Sequence, residues 1–516
     1  MGWIESKKMV LWGRNFKLLG SRLVHLDYAF LDSKVLVWLC IALGFILRLK
    51  VYVDNRSLWL DEARLSLNIL NKSVPQLFGP LDYEQGAPVG FLVAEKLMTR
   101  IWGDSEYALR LIAFLSGVAA LILFSYVARH FLDGKARLLA VAFFVVSPTL
   151  IYYSAEVKQY SSDVLITLLL YSLAVYSIQS TSLSWATSVV FGLVGGVVLW
   201  FSHPAVFVLA GIGVCLLWFS YRERRWVSVG QLLLAYSMWG ASLIILYSVS
   251  LRQLKDNSDL LDYWGEAFMP LIPQSTADLY WFADTFWELF DNPGGFEFAG
   301  LAAFVALIGL VWMATARRDH LLLLVLPIAF TLLASGLYLY PFRGRLLLFL
   351  VPTIIIIVTV GIEQLRLKTL PSYLPIAGLC AGVLLFHPFV LVAQTVLVPA
   401  GKEEMRPVMH YIRQHYQDED LIYVYYGGQE AFIYYYNRYG FQKDDYIVGI
   451  ESRHNLEAYT HDLDKLRGHK RVWIVFSHLY SKGDEQAFFL YYLDRMGIQR
   501  DAYTSDGAAV YLYELT

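Results

Sequence analysis

Apolar runs of membrane-spanning length constrain the fold of this chain more than any other feature. They lie near 34–53, 107–131, 137–153, 162–179, 185–202, 204–220, 229–251, 298–315, 321–340, 346–365 and 376–398. Because the hydrocarbon core of a bilayer is roughly 30 Å thick, a helix needs about 20 predominantly apolar residues to cross it. Hydrophobic residues make up 57% of the chain and charged residues only 17%. We therefore predict an α-helical polytopic membrane protein with about eleven transmembrane helices.

Basic residues in the connections between these runs predict the orientation of the chain. Segment 1–33 is rich in lysine and arginine and has no signal-peptide cleavage pattern, so we interpret it as a retained cytoplasmic N-terminal segment. Alternate connections are also basic, and they contain Lys135, Arg137, Arg222, Arg224, Arg225, Arg317, Arg318, Arg366 and Lys368. Since basic loops stay in the cytoplasm, we expect loops 54–106 and 252–297 and the C-terminal part to lie outside.

The pattern changes from about Pro399 onward, where apolar runs shorten to strand length. Strands are predicted at 420–426, 446–450, 471–477 and 508–513, with helices near 403–416, 428–438, 455–466 and 484–496. Alternating strands and helices favour a small α/β domain with a largely parallel sheet. The prediction is a transmembrane domain over 34–398, followed by a soluble α/β domain over 399–516.

Charge and cysteine content exclude several classes of protein. The net charge is −2, which gives no basic field for nucleic acid, so we expect no nucleic-acid partner. Cys40, Cys215 and Cys380 each fall inside an apolar stretch without paired spacing. They therefore predict neither a disulfide framework nor a metal site.

The first predicted outer loop contains an adjacent acidic pair, Asp61 and Glu62. Neighbouring positions on a helix point about 100° apart, so at most one of the two can face a substrate. Alternatively, the pair only favours the positive amino end of an interfacial helix that runs to about Asn71. Later in this loop, Glu84 and Gln85 precede a Gly- and Pro-containing turn, which is either a structured lid or an ordinary connector.

A second polar segment precedes the fourth apolar run. If this segment is helical, Glu156, Gln159, Tyr160 and Asp163 share one face, while Lys158 points elsewhere. The stripe would then lie at the level of a site on the outer side. The alternative is interfacial solvation, with tyrosines as membrane anchors.

Arg343 and Arg345 occupy a short outer loop, against the rule that places basic residues inside. An anion is their natural partner, because guanidinium groups bind phosphate bidentately and a helix beginning near Arg345 adds unpaired N–H groups. Snorkelling to lipid headgroups is the alternative. Carboxylates opposite guanidinium groups at a membrane surface suit the transfer of a group from a lipid phosphate.

The order of these motifs resembles the polyprenyl-phosphate-sugar-dependent glycosyltransferases of the GT-C fold, especially bacterial relatives of protein O-mannosyltransferases and of lipid A aminoarabinose transferase. The resemblance rests on 58–63, 86–88, 105–111, 156–160 and 343–345. It implies a GT-C-like transferase whose catalytic acidic motif falls on Asp61 and Glu62, with Asp61 as the general base, and in which Glu156 helps to place the acceptor or the donor. It also implies that Arg345, Arg343 and Lys158 bind the donor phosphate, and that Glu84, Gln85 and Tyr160 form a substrate loop. The aminoarabinose transferase has a lysine where this chain has Gln85.

The same resemblance implies a bacterial inner-membrane location with the site facing the periplasm. The expected partners are a polyprenyl-phosphate-sugar donor, membrane lipids, and a glycan, lipid or protein acceptor. A ligase or polymerase for lipid-linked oligosaccharides is an alternative within this class, and a polyprenyl-lipid flippase or transporter is one outside it. No cofactor is required by the sequence, although a divalent Mg, Mn or Ca ion joining Asp61 and Glu156 is compatible with hard oxygen ligands.

Overall fold

The computed structural model describes residues 34–179, 184–255, 258–365, 376–397, 401–453, 455–479 and 484–515. The predicted cytoplasmic segment 1–33 lies outside these residues. The described chain forms a bundle of long apolar helices followed by a smaller domain built on one sheet.

The bundle contains long apolar helices and shorter helices that connect them. In chain order they are α1 (Lys34–Asp54), α2 (Leu60–Asn71), α3 (Val89–Trp102), α4 (Glu106–Phe131), α5 (Gly134–Val146), α6 (Pro148–Tyr153), α7 (Tyr160–Gln179), α8 (Trp185–Val198), α9 (Ala205–Arg222), α10 (Trp226–Leu246), α11 (Ser258–Tyr263), α12 (Thr276–Asp291), α13 (Ala299–Ala316), α14 (Arg318–Gly336), α15 (Val351–Gln364) and α16 (Ile376–Leu397). Helix α10 continues as Tyr247–Leu251 and Arg252–Lys255, and α15 is preceded by a 3₁₀ segment, Gly344–Leu350.

Among the described residues, 9 helical stretches are long and apolar enough to cross a membrane. They are α1, α4, α7, α9, α10 with its extension, α13, α14, α15 with its 3₁₀ segment, and α16. The other two predicted runs are shorter helices. The run near 137–153 divides into α5 and α6 at Ser147, because Pro148 starts a helix more readily than it continues one. The run near 185–202 forms α8, which has 14 residues.

Helix α15 lies at the centre of the bundle, where every residue from Val351 to Ile362 is buried. Its close contact with α13 depends on glycine. A Cβ on Gly361 would lie 1.9 Å from the carbonyl oxygen of Val305, and one on Gly309 would lie 2.5 Å from that of Ile357. Small residues let membrane helices approach closely and gain van der Waals contact. The same centre holds the 3₁₀ segment that carries Arg345.

The soluble domain contains four further helices and a five-stranded sheet, all within the described residues. In chain order its elements are α17 (Met405–His415), β1 (Leu421–Val424), α18 (Gln429–Tyr435), β2 (Tyr446–Val448), α19 (Leu456–Asp464), β3 (Arg471–Ser477), α20 (Asp484–Leu493), β4 (Gly497–Ser505) and β5 (Ala508–Leu515). The strand order is β2-β1-β3-β5-β4.

The sheet is mixed, so the prediction of a largely parallel sheet is wrong for one half of it. Strands β2, β1 and β3 are parallel, whereas β5 is antiparallel to both β3 and β4. Strand β4 was not predicted at all. It is an edge strand with a bulge between Gln499 and Asp501 and with mostly exposed or half-buried side chains. Such a strand has no apolar run for a sequence pattern to reveal.

The first outer loop and the soluble domain share one hydrophobic core. Leu58, Leu65 and Phe91 from the loop belong to the same buried cluster as Met409 and Phe432 from the soluble domain. A buried hydrogen bond joins them as well, from the backbone N–H of Leu58 to the hydroxyl oxygen of Tyr435 at 2.9 Å. The soluble domain is therefore packed directly on the loop that carries the acidic pair.

Candidate active site

A cavity of about 730 Å³ lies where the first outer loop, several helix ends and the soluble domain meet. Its polar lining includes Asp61, Lys158, Tyr160, Arg345 and His478. One wall is apolar and is formed by the end of α10, including Leu243, Ile244, Tyr247 and Leu251. Charged side chains and an apolar wall therefore line the same cavity.

Asp61 lies in the first turn of α2, between two cations. Its Oδ2 is 2.6 Å from Nη2 of Arg345, and its Oδ1 is 3.6 Å from Nζ of Lys158. Burial alone would raise the pKa of this carboxyl, but the charges of Lys158 and Arg345 lower the pKa to about 2. Asp61 is therefore ionised across the physiological range of pH, and it neutralises part of the charge of Arg345 and Lys158.

Arg345 and Arg343 point to different places, because Gly344 between them has a left-handed backbone with φ of 51°. Arg345 enters the cavity, where its guanidinium carbon lies 5.6 Å from the ring centre of Trp59. Arg343 is exposed, and its Nε lies 3.3 Å from Oε1 of Glu288. In this backbone region the conformational energy of a residue with a Cβ is higher by roughly 1–2 kcal/mol, and glycine avoids this cost. The structure thus brings only Arg345 to Asp61.

Lys158 is held at the cavity by the loop that contains Gln85. Its buried ammonium donates a hydrogen bond of 2.7 Å to Oε1 of Gln85, and burial lowers the pKa of this lysine. The loop is itself strained, since Tyr83 and Glu84 have φ of 61° and 53°. Left-handed non-glycine residues often cluster at functional sites. Glu84 lines the cavity from an exposed position.

Glu62 points away from Asp61 and is fully buried. Both carboxylate oxygens accept hydrogen bonds from Arg110, at 2.9 and 2.7 Å, and Oε1 also accepts the backbone N–H of Val157 at 2.9 Å. Burial opposes ionisation, but the Arg110 guanidinium lowers the pKa of Glu62. This bidentate pair fixes α2 to α4 and to the loop before α7, which supports a positioning function for Glu62.

Glu156 lies in a non-helical turn between α6 and α7, so the predicted helical stripe through Glu156 and Tyr160 is wrong. Within this turn, the N–H of Val157 donates a hydrogen bond to Glu62. Glu156 is fully buried, and its nearest cation is Arg56, with 3.9 Å between Nη2 and Oε2. Burial and the neighbouring Glu62 raise its pKa. Tyr160 begins α7, is buried, and lines the cavity beside Arg345.

The soluble domain supplies site residues that sequence reasoning missed. Nζ of Lys402 lies 3.8 Å from the ring centre of Trp59. Oε2 of Glu403 accepts the backbone N–H of Leu60 at 2.9 Å, and the hydroxyl of Ser57 donates to Glu404 at 2.7 Å. His478 lines the cavity itself. These residues lie more than 300 positions from the first loop, and no local pattern could have pointed to them.

A metal centre finds no support in the side chains that the structure describes. Within them, no group of three or more histidine, cysteine, aspartate or glutamate residues is placed to hold a metal ion. Asp61 is paired with Arg345 and Lys158. A divalent ion joining Asp61 and Glu156 remains a prediction.

Two kinds of comparison relate the chain to known proteins. Residues 85–250 match the family model of dolichyl-phosphate-mannose-protein mannosyltransferases. No curated protein sequence matches the chain. Among solved structures, ArnT from Cupriavidus metallidurans bound to undecaprenyl phosphate is similar, with 12% identity, a TM-score of 0.55, and coverage of 93% of this chain and 98% of that one.

Two other solved structures are similar. The apo state of the same ArnT has 13% identity and a TM-score of 0.52, covering 92% of this chain and 97% of that one. An oligosaccharyltransferase from Archaeoglobus fulgidus has 12% identity and a TM-score of 0.48, covering 92% of this chain and 72% of that one. The structural similarity to ArnT covers 93% of this chain and therefore extends into the soluble domain. The chain is therefore a polytopic membrane protein with the GT-C fold of membrane glycosyltransferases, and residues 85–250 match one of their families.

Proposed function

We propose that this protein transfers a sugar from a polyprenyl-phosphate donor to an acceptor hydroxyl. The observation that carries the proposal is the position of Asp61 between Arg345 and Lys158 at a cavity with one apolar wall. A carboxylate serves as a base for a hydroxyl, and two cations serve as a binding site for phosphate.

Arg345 is the main candidate to bind the donor phosphate. Its Nη2 is paired with Asp61, whereas its Nε is buried and has no hydrogen-bond partner among the described residues. A buried donor without a partner costs about 1–3 kcal/mol, so the site gains when a ligand oxygen arrives there. Lys158 adds a second positive charge on the opposite side of Asp61.

The apolar wall gives the polyprenyl chain a route to this phosphate site. Helix α10 lines the cavity with Leu243, Ile244 and Leu251, and Ile244 is 68% exposed. An apolar side chain with that exposure on a membrane-spanning helix suits contact with lipid. A donor can therefore keep its isoprenoid chain against α10 while its phosphate meets Arg345.

Donor binding would also activate the base. While Arg345 and Lys158 are paired with Asp61, its pKa is about 2 and the carboxylate is a weak proton acceptor. A donor phosphate that binds Arg345 and Lys158 weakens their interactions with Asp61, which lower its pKa. Burial then raises the pKa of Asp61. General bases work best with a pKa nearer to the operating pH. The site thus favours deprotonation of the acceptor only when a donor is bound.

The reaction would proceed by a single displacement. Asp61 takes the proton of the acceptor hydroxyl as its oxygen bonds to the anomeric carbon, and the bond from that carbon to the phosphate oxygen breaks. The electron pair leaves with the polyprenyl phosphate, whose charge Arg345 and Lys158 neutralise. Attack from the opposite face inverts the anomeric configuration. The acceptor is proposed to be a glycan, lipid or protein on the periplasmic side of a bacterial inner membrane.

Paired arginine variants test the proposal. Undecaprenyl phosphate binding and transfer from an undecaprenyl-phosphate sugar are measured for protein in lipid nanodiscs. A charge-assisted contact is worth about 1.5–3 kcal/mol, so Arg345→Gln should weaken binding by about ten- to a hundredfold. Arg345→Lys should recover part of this loss, because lysine keeps the charge without the planar fork.

Arg343→Gln is the matched control, since it removes the same charge two residues away but outside the cavity. Its effect on binding should stay below about twofold, because exposed ion pairs contribute little. If Arg343→Gln and Arg345→Gln weakened undecaprenyl phosphate binding equally, the proposed phosphate site would be contradicted. Both arginines would then be interpreted as membrane anchors.

A further inference from the structure

Two uncharged polar side chains line the cavity but have no function in the proposed transfer. Gln159 lies directly before α7, and His203 lies in the turn between α8 and α9. Gln159 is only 6% exposed, and its Oε1 has no hydrogen-bond partner among the described residues. Nε2 of His203 is also buried, and no residue that the structure describes binds it. Because buried polar atoms are nearly always hydrogen-bonded, these two atoms indicate a ligand at the site.

Gln159 lies beside the groups that are proposed to bind the donor phosphate. It follows Lys158 in the chain and precedes Tyr160, whose ring centre is 5.9 Å from the guanidinium carbon of Arg345. Its backbone oxygen accepts the N–H of Asp163 at 2.9 Å, which joins Gln159 to the first turn of α7. A sugar attached to a phosphate at Arg345 would therefore lie close to the Gln159 amide.

The turn that carries His203 is fixed to the first outer loop. The backbone N–H of Gly90, in the first turn of α3, donates a hydrogen bond of 2.7 Å to the carbonyl oxygen of Trp200. This close approach requires glycine, since a Cβ on Gly90 would lie 2.7 Å from that same oxygen. One helical turn after His203, Phe207 packs edge-on against Tyr340, with 5.1 Å between the ring centres. Contacts on both sides of His203 therefore hold it at the cavity.

The two side chains suit the hydroxyl groups of a neutral sugar. A carboxamide and a neutral imidazole each carry a donor and an acceptor, and so does a hydroxyl. Burial lowers the pKa of His203 to about 4, so its imidazole is uncharged at physiological pH. The acidic residue of α7, Asp163, is 3% exposed and is not among the described residues that line the cavity. An ionised group of a sugar would be buried here without an ionic partner, which is unfavourable.

We propose that Gln159 and His203 form the subsite for the donor sugar, and that this sugar is a neutral hexose or pentose whose hydroxyl groups they bind. This inference rests on the proposed function and adds to it the chemical class of the transferred group. A site that hydrogen-bonds a hydroxyl rejects an analogue without it, because the buried polar groups of the site are then left unpaired. Gln159 and His203 therefore determine which sugar is transferred, although neither takes part in proton transfer.

Binding titrations with matched ligands test the inference without a transfer assay. Full-length protein in lipid nanodiscs is titrated with undecaprenyl-phosphate sugars that carry glucose, mannose, galactose, arabinose, xylose, glucosamine or glucuronic acid. The reference ligand is the methyl ester of undecaprenyl phosphate, which is also a phosphodiester but has no sugar. At least one neutral sugar should bind about tenfold or more tightly than this ester, as expected for two neutral hydrogen bonds. Glucosamine and glucuronic acid should give no such gain.

Variants then assign the gain to the two side chains. Gln159→Met and His203→Phe keep most of the side-chain volume, and each should weaken binding of the preferred sugar ligand by about three- to tenfold. Binding of the methyl ester should change by less than about twofold. His203→Gln should recover part of the loss, because it restores a hydrogen-bonding group. Gln179→Ala is the matched control, since it removes an exposed amide at the other end of α7. Each variant is judged by the ratio of its two affinities, which partial unfolding does not change.

The outcomes separate the two proposals. If Arg345→Gln did not weaken undecaprenyl phosphate binding, the proposed function would be overturned. If Arg345 is required, but no neutral sugar binds more tightly than the methyl ester, the inference alone is overturned. Tightest binding of a charged sugar overturns it as well. An unchanged ratio of affinities in both Gln159→Met and His203→Phe would show that water, and not a sugar, binds these side chains.

Discussion

The Asp61→Asn substitution should have opposite effects on donor binding and on transfer. Asparagine keeps the shape of the side chain but removes the charge that neutralises Arg345 and Lys158. A phosphate then no longer has to displace a carboxylate from the two cations. The same variant lacks the base, so transfer should fall by at least about a hundredfold.

The gain in affinity can be worked from the pKa of Asp61. That pKa is about 2, against 3.8 for an unperturbed aspartate. The difference corresponds to about 2 kcal/mol of net stabilisation of the carboxylate by its surroundings. If donor binding gives up most of it, Asp61→Asn should tighten undecaprenyl phosphate binding by about tenfold. The measurement is a binding titration in nanodiscs alongside single-turnover transfer.

Glu84→Gln provides the control for long-range electrostatics. Glu84 lines the same cavity but forms no ion pair with Arg345 or Lys158. Its effect on undecaprenyl phosphate affinity should stay within about twofold, as expected for an exposed charge. Weaker binding in Asp61→Asn would refute the competition between carboxylate and phosphate. If Asp61→Asn transferred sugar at an undiminished rate, the general base would be Glu156 or another group.

Three further predictions address stability, backbone and topology. Glu62→Gln should destabilise the protein by about 3–5 kcal/mol, because it leaves Arg110 buried without its carboxylate partner; thermal unfolding in detergent, with Arg343→Gln as the nearly neutral control, checks this. Gly344→Ala should weaken undecaprenyl phosphate binding by about tenfold, because a left-handed alanine costs about 1–2 kcal/mol and relaxation would move Arg345; an unchanged titration would contradict it. A reporter fused after Thr516 should behave as extracytoplasmic, and cytoplasmic activity would reverse the predicted orientation.

Sequence reasoning could predict those features of the site that depend only on a short stretch of the chain. Arg345 stood out because arginine in an outer loop opposes the usual distribution of basic residues. The interfacial helix was expected to run to about Asn71, and α2 spans Leu60–Asn71. The long apolar runs likewise correspond to helices, because length and hydropathy are local properties.

The remaining features depend on contacts between distant segments. Whether Asp61 or Glu62 faces the cavity depends on Arg110, which lies 48 residues beyond Glu62 and binds it in the core. The turn that contains Glu156 is tied to the same carboxylate, because the N–H of Val157 donates to Glu62, a residue 95 positions earlier in the chain. A periodic pattern records which faces are apolar, but not which distant partner satisfies a buried group.

The helix that carries Asp61 is preceded by Trp59, whose side chain makes no capping hydrogen bond. The N–H of Leu60 is bound instead by Glu403, a residue 343 positions later in the chain. At synthesis rates of about 5–20 residues per second, these two residues leave the ribosome on the order of tens of seconds apart. During that interval the bundle can insert into the membrane while the start of α2 lacks its carboxylate. The first turn of α2, which carries Asp61, therefore gains its carboxylate partner only when translation nears its end.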